Sequence, residues 1–352
     1  MEEKIRYTTI DEQIEKLKSQ HLIINDENEA RSLLQIFGYS NLIKSYRNPY
    51  IIKSDGQKFY RSGVTFEQIF SLFLLDKNLR NAVMAAMQDL EEHIKETTAN
   101  VIARAFGVKQ NDYLLYHNYN NKRKRKERFS LPGILDTMKA ALDTDKEPIR
   151  HYVTDYGIVP PWILFKSIYF STITNYIDLF KPSEQFKMVE YLYDSEYLEL
   201  PPEALCKLMM DTLFICIDYR NIAAHGGRVY NYRSDKRLRT EEIFGEKTIP
   251  NIDGFSKLLF LLNLLKYENP YTRLSSTLEQ EITRHCSVFP EDVTYLGQIL
   301  NVNISRHRIV WVSKNSNKYH LLSHCSGLHD TTKLFIEEAT SQGYIPCKRC
   351  CK

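Results

Sequence analysis

Between Phe66 and Phe106 the apolar residues Leu72, Leu75, Leu79, Val83, Met87, Leu90 and Ile94 recur at steps of three and four. That spacing lays them along one stripe of an α-helix. A stripe of this length has to be covered by other helices, so it points to a mainly α fold. Gly107 marks its end. The same kind of patterning predicts helices over 131–145, 162–194, 203–225, 253–267 and 274–286. Asp26 and Glu29 form a capping pair ahead of ARSLLQIFGYSNLIKSY. The Asn, Pro and Gly residues of 40–65 predict a small extended excursion, and 107–130 reads as a loop.

Composition narrows the class of function. A chain of 352 residues that is 43% apolar and 26% charged is globular, and its formal charge is only +3. Any nucleic-acid site must therefore come from local clustering. The opening MEEKIRYTTIDEQIEKL has no apolar signal core. The longest greasy segment, Phe255 to Leu265, is too short to span a bilayer. The expectation is a cytoplasmic protein with no membrane role. Four of the seven cysteines fall in the last 28 residues, which points to metal rather than to a disulfide framework.

From Pro201 the chain reads PPEALCKLMMDTLFICIDYRNIAAHGGR. Leu205, Leu208, Met209, Leu213 and Cys216 form a buried stripe, and Arg220 continues it four residues on. A permanent charge there needs a partner or a purpose. Asn221 and His225 share a face, and Gly226-Gly227 ends the helix. A guanidinium, an amide and an imidazole thus meet where a helix becomes a loop. An imidazole can move a proton from a ribose 2′-hydroxyl or to a leaving oxygen. A guanidinium can grip a phosphate and stabilise charge as phosphorus becomes five-coordinate. No metal is needed for that chemistry. Taken alone, Arg-x4-His is more often an arginine paired with a buried carboxylate and an ordinary helix-end histidine.

The surrounding residues resemble the abortive-infection (AbiD/AbiF-like) family of the HEPN superfamily. RNIAAHGGRVYN is similar to that family's RN-x2-AH-x2-R signature with a following aromatic and Asn. Tyr46-Arg47-Asn48-Pro49-Tyr50, Gly63-Val64-Thr65-Phe66-Glu67, the helix carrying Asp76, Leu79 and Arg80, Pro161-Trp162 and FPEDVTYLG also fit. The resemblance covers roughly residues 10–300. It implies a HEPN-like helical bundle and an antiphage ribonuclease or toxin with Arg220, Asn221 and His225 as catalytic residues. Arg228 and Tyr230 are further candidates for substrate contact. It implies a homodimer, because two such motifs commonly meet across a two-fold axis, and a small noncoding RNA as a companion.

Two basic runs offer RNA contacts. KRKRKER includes Lys122, Arg123, Lys124 and Arg125 and lies beside tyrosines 113, 116 and 119. It suits phosphate binding and base stacking, or equally a solvated surface. Arg233, Lys236, Arg237 and Arg239 follow the signature and present the same choice. On the long helix, Glu91, Glu92 and His93 are either an exposed face or a second contribution to the cleft.

In the tail, residues 301–352, Ile309 to Val312 reads as a strand and Thr331 to Ser341 as a helix. Cys347 and Cys350 form a C-x2-C pair, with Cys325 and His320 upstream. Three thiolates and an imidazole make a closed structural Zn²⁺ site. His324, His329 and Cys351 are rival ligands. Tyr319-His320, Cys325-Ser326-Gly327, Ala339 and GYIPC resemble an Ada-like zinc module found appended to some bacterial nucleases. The expected architecture is a helical domain over 1–300 and a small α+β zinc-binding module over 301–352. The expected function is a metal-independent endoribonuclease. The alternative is a non-catalytic module that binds or senses RNA, in complex with a small noncoding RNA or without one, and a protein–protein scaffold is a third.

Overall fold

A computed structural model describes residues 6–54, 56–245, 252–303, 309–321, 325, 328 and 330–351. His324, His329, Ser326 and Gly327 lie outside the described residues. In chain order the principal elements are α1 (Ile10–Ser19), α2 (Glu27–Phe37), β1 (Ile51–Ser54), β2 (Gln57–Tyr60), α3 (Phe66–Phe106), α4 (Leu131–Leu142), α5 (Phe170–Asp178) and α6 (Pro182–Leu192). They continue with α7 (Pro202–Ala224), α8 (Phe255–Asn263), α9 (Asn269–Val288) and α10 (Val293–Leu300). The tail supplies β3 (Ile309–Ser313), β4 (Lys318–His320), β5 (Thr331–Phe335), α11 (Ile336–Ser341) and β6 (Ile345–Pro346). The fold is mainly α, as the stripes require, and all seven residues of the α3 stripe are buried. No described helix is long and apolar enough to cross a membrane.

Chain packing divides the molecule into residues 1–79 with 277–352, and residues 80–276. In the first unit a buried polar network joins segments far apart in sequence. His285, fully buried, meets Ser71 Oγ through Nδ1 and Asp292 Oδ2 through Nε2, both at 2.9 Å. Asp292 Oδ2 also accepts from Tyr50 Oη at 2.6 Å and Gln68 Nε2 at 3.1 Å. Nearby, Tyr46 Oη donates to buried Asp76 at 2.5 Å. The YRNPY segment, the early turns of α3 and the FPEDV stretch therefore converge. Ser71, His285 and Asp292 have the order of a hydrolytic triad, but they are enclosed and serve the core. Of the expected 40–65 excursion only 51–60 is extended, a hairpin with Ile51 opposite Tyr60 and Ser54 opposite Gln57, and helical turns at Ser40–Lys44 and Asn48–Tyr50 precede it. Asp26 caps α2 by accepting the Glu29 N–H at 2.9 Å. The return half of that box comes from elsewhere, because the Asp26 N–H donates to Glu67 Oε1 at 3.3 Å.

In the second unit α7 packs against α5, α6 and α8. The single helix expected over 162–194 is broken. Short turns at Pro161–Leu164 and Phe165–Ser167 precede α5 and α6. Ile168 and Tyr169 are extended, at ψ 134° and 146°. Pro182 starts α6 because it lacks an N–H and holds Lys181 extended, at ψ 161°. The helix expected over 253–267 shortens to α8, and that over 274–286 lengthens into α9.

The tail forms a four-stranded sheet of order β5-β3-β4-β6 over a small core of Val310, Val312 and Ala339. Thr331–Phe335 is a strand and not the start of a helix. It pairs antiparallel with β3 along its length, Ser313 opposite Thr331 and Ile309 opposite Phe335. Threonine pairs and aromatics suit that pleated surface, and only Ile336–Ser341 is helical.

Candidate functional site

The stripe of α7 behaves as its spacing implies. Leu205, Leu208, Met209, Leu213 and Cys216 are buried, and burial pushes the Cys216 thiol up to about 12. Arg220 continues the stripe but is half-buried and enters a cavity of about 680 Å³. Glu91, Glu92, Lys95 and Glu96 of α3 line that cavity, as do Trp162 and Lys166. Glu91 pairs with Lys95 at 2.7 Å. Among the described residues Arg220 has no ion pair or side-chain hydrogen bond. The bland alternative, an arginine neutralised by a buried carboxylate partner, is thus not what the geometry shows.

Asn221 and His225 are exposed at the end of α7. His225 is the C-cap, its N–H donating to Asn221 O at 3.1 Å. Gly226 follows at φ +71°, and its N–H reaches Ala223 O at 3.2 Å. The Gly227 N–H reaches Ile222 O at 2.9 Å. These are the two bonds of a Schellman turn. Gly227 has no room for a side chain, since a Cβ there meets Ile222 Cγ2 at 2.9 Å and Ile222 O at 3.1 Å. Arg80 of α3 donates from Nη1 to Gly226 O at 2.6 Å, which ties the turn to the long helix.

Other expected contacts are placed differently. Tyr230 is 1% exposed, so its ring belongs to the core and cannot stack on a substrate base. Arg228 is half-buried. In the KRKRKER run, Lys122 Nζ donates to the main-chain O of Asp178 at 2.6 Å and to its Oδ1 at 3.2 Å. Lys124 pairs with Oδ2 of the same residue. Both lysines therefore serve the C-terminal end of α5, a natural place for positive charge. Burial raises the Asp178 carboxyl, but Lys124 and Lys122 outweigh it and leave it below its ordinary value. Arg123 and Arg125 stay exposed, yet neither lines the Arg220 cavity. Of the three tyrosines beside them only Tyr116 is exposed, whereas Tyr113 and Tyr119 are buried.

Two of the four cations in the second run are committed, while Lys236 and Arg237 stay exposed. Arg239 grips buried Asp211 through Nε and Nη2, at 3.0 and 2.7 Å, and Arg233 pairs with Asp253. On α3, Glu91 and Glu92 do enter the cavity with Arg220. His93 does not. Its ring packs on Tyr267 at 5.0 Å, its Nε2 is buried without a partner, and burial lowers its pKa.

In the tail His320, Cys325, Cys347 and Cys350 bring one ligand atom each to within 4.8 Å of one another. The parallel pairing of β4 with β6 sets Tyr319 opposite Pro346, which carries His320 beside Cys347. Cys350 Sγ lies 3.6 Å from His320 Nδ1. Zinc bonds of about 2.3 Å to sulfur and 2.0–2.1 Å to nitrogen imply a tetrahedral edge of about 3.6 Å, so the donor set fits. Backbone N–H groups of Arg349 and Cys350 hold the Cys347 thiol down to about 7, while desolvation pushes Cys325 up to about 11. The rival Cys351 stands outside the four, turned toward Tyr319 O at 3.5 Å.

The site thus consists of Arg220 in a cavity lined by α3 and, beyond it at the end of α7, the exposed pair Asn221 and His225. A family profile described as Abi-like protein matches residues 32–231, and the chain belongs to this abortive-infection family. The matched span includes Arg220, Asn221 and His225 and stops short of the tail. No curated protein and no solved structure matches the chain.

Proposed function

We propose that this protein is an abortive-infection endoribonuclease of the HEPN type, acting on RNA in the cytoplasm. The observation that carries the reading is Arg220. It is a guanidinium with no carboxylate partner among the described residues, held in a cavity five residues before His225 on the same helix. Arg220 would clamp the scissile phosphate and stabilise its extra charge in the transition state. The ribose 2′-hydroxyl attacks phosphorus, the bond from phosphorus to the 5′-oxygen breaks, and a 2′,3′-cyclic phosphate and a 5′-hydroxyl result. One imidazole takes the 2′-hydroxyl proton and a second supplies a proton to the leaving oxygen. His225 of one protomer and His225 of the partner subunit fill these roles in a two-fold dimer, with Asn221 orienting imidazole or phosphate. A small noncoding RNA that restrains the enzyme is compatible with the same site. In the tail, taken as residues 301–352, His320, Cys325, Cys347 and Cys350 would hold one structural Zn²⁺. Four protein ligands would leave that ion no open position, so it would supply folding energy and no chemistry.

The test is RNA cleavage by the purified protein in EDTA. Arg220→Ala and His225→Ala should each lower the rate roughly a hundredfold or more. A substrate with a 2′-deoxy sugar at the scissile position should resist. A folded His225→Ala protein that cleaves as fast as the parent refutes the assignment. RNA binding without cleavage by the parent chain favours the non-catalytic reading instead.

A further inference from the structure

The first unit carries a second concentration of charge that the cleavage chemistry does not use. Lys16 near the end of α1, Arg47 of the YRNPY segment and Lys58 of the hairpin line one cavity of about 410 Å³, together with Gln20, Gln57 and Phe59. That volume lies within the range of about 300–1,000 Å³ usual for small-ligand pockets. Among the described residues no carboxylate lines it. Lys16 also lies 5.9 Å from the centre of the Tyr39 ring, and Lys44 lies 6.0 Å from it.

Among the described residues Lys16, Lys44, Arg47 and Lys58 have no ion-pair partner. Acidic groups on the neighbouring helices are engaged elsewhere. Glu12 pairs with Arg6, and Glu27 with Lys18 and Arg31. The hydrogen bonding is incomplete in the same place. Arg47 Nε, Tyr39 Oη and Tyr60 Oη are all buried and have no hydrogen-bond partner by geometry. Burial raises both phenols, and the nearby Arg47 charge opposes it, at Tyr60 also through a weak side-chain hydrogen bond. Buried donors are rarely left unpaired, and like charges repel unless something neutralises them. The framework is firm, because the Tyr60 N–H donates to Gln20 O at 2.8 Å and the Arg61 N–H to Tyr50 O at 2.9 Å.

We propose that this cavity binds the phosphate of a nucleotide, free or within an RNA strand. A guanidinium flanked by ammonium groups suits a phosphate better than a singly charged carboxylate. Phe59, stacked on His21 at 5.1 Å, and the two glutamine amides provide an apolar face and polar edges for a base. The site is independent of Arg220 and His225, so it stands or falls apart from the cleavage reading.

The test is calorimetric titration of the full-length protein with 5′-AMP, adenosine, inorganic phosphate and a hexaribonucleotide with or without a 5′-phosphate. The phosphate-bearing probes should bind and adenosine should not. A Lys16→Gln/Lys58→Gln double variant changes only partly or fully exposed side chains. It should keep the parent's helical circular dichroism and weaken binding at least tenfold, whereas Arg220→Ala should bind 5′-AMP as the parent does. For the oligomer, losing two phosphate contacts should flatten the log–log salt dependence by about 0.7 per contact. Preference for the 5′-phosphorylated hexamer assigns the site to strand ends. Equal binding of both hexamers, still weakened by the double variant, assigns it to the backbone. Binding by none of the phosphate probes, or binding that the double variant leaves intact, overturns the proposal.

Discussion

Replacement of Gly226 tests whether the turn after α7 governs the site. At φ +71° an alanine sits in the left-handed region, at a cost of about 1–2 kcal/mol. Crowding adds nothing to this, because a Cβ at Gly226 meets only Arg80 Nη1, at an ordinary 3.8 Å. Asparagine tolerates the conformation, so Gly226→Asn should be close to neutral, while the β-branched Gly226→Val should be worse than alanine. In a unit of this size 1 kcal/mol corresponds to about 2–4 °C, so Gly226→Ala should lower its melting temperature by about 2–8 °C. Gly227→Ala works differently. Its Cβ would lie 3.1 Å from Ile222 O, the acceptor of Gly227's own N–H, so the turn must open at about 1–3 kcal/mol. The assay is thermal unfolding followed beside RNA cleavage. If the turn positions His225, both readouts should rank Asn above Ala above Val at position 226. A Gly226→Val protein as stable and as active as the parent refutes the argument.

Metal analysis should find one zinc per chain. Cys347→Ser should release it and loosen residues 309–351, while the helical circular dichroism of the body persists; zinc retained by the variant would break the assignment. Asp292→Ala removes the acceptor shared by His285, Tyr50 and Gln68 and strands buried donors at about 1–3 kcal/mol each. Denaturant unfolding should therefore show a loss of several kcal/mol, and Asp292→Asn, which keeps one acceptor oxygen, should lose less; equal stability of Asp292→Ala and parent would show that the network is dispensable.

The legible parts of this chain were those written in local spacing. Three-and-four steps located α3 and α7, two glycines located the helix end, and C-x2-C located the cluster in the tail. Residues whose environment is set by distant segments were harder to read. The cationic run looked like an RNA contact, but Asp178, more than fifty residues away, takes Lys122 and Lys124. Tyr230 looked available beside the signature and is core. The cavity partners of Arg220 had a trace in the sequence, since Gln88, Glu92 and Glu96 recur every four residues along one face of α3. Nothing local connected that face to α7. Thr331–Phe335 was misread for the same reason, because its strand character comes from pairing with β3.

The polar network around Asp292 also sets an order of events in time. Tyr50 finds its acceptor 242 residues further along the chain, and Ser71 meets His285 214 residues on. At a synthesis rate of about 5–20 residues per second, Asp292 is made roughly 12–48 s after Tyr50. For most of that interval the ribosome is producing residues 80–276, which form a compact unit of their own. The segment with Arg220 and His225 can therefore fold on the nascent chain while the N-terminal unit still waits for its far half.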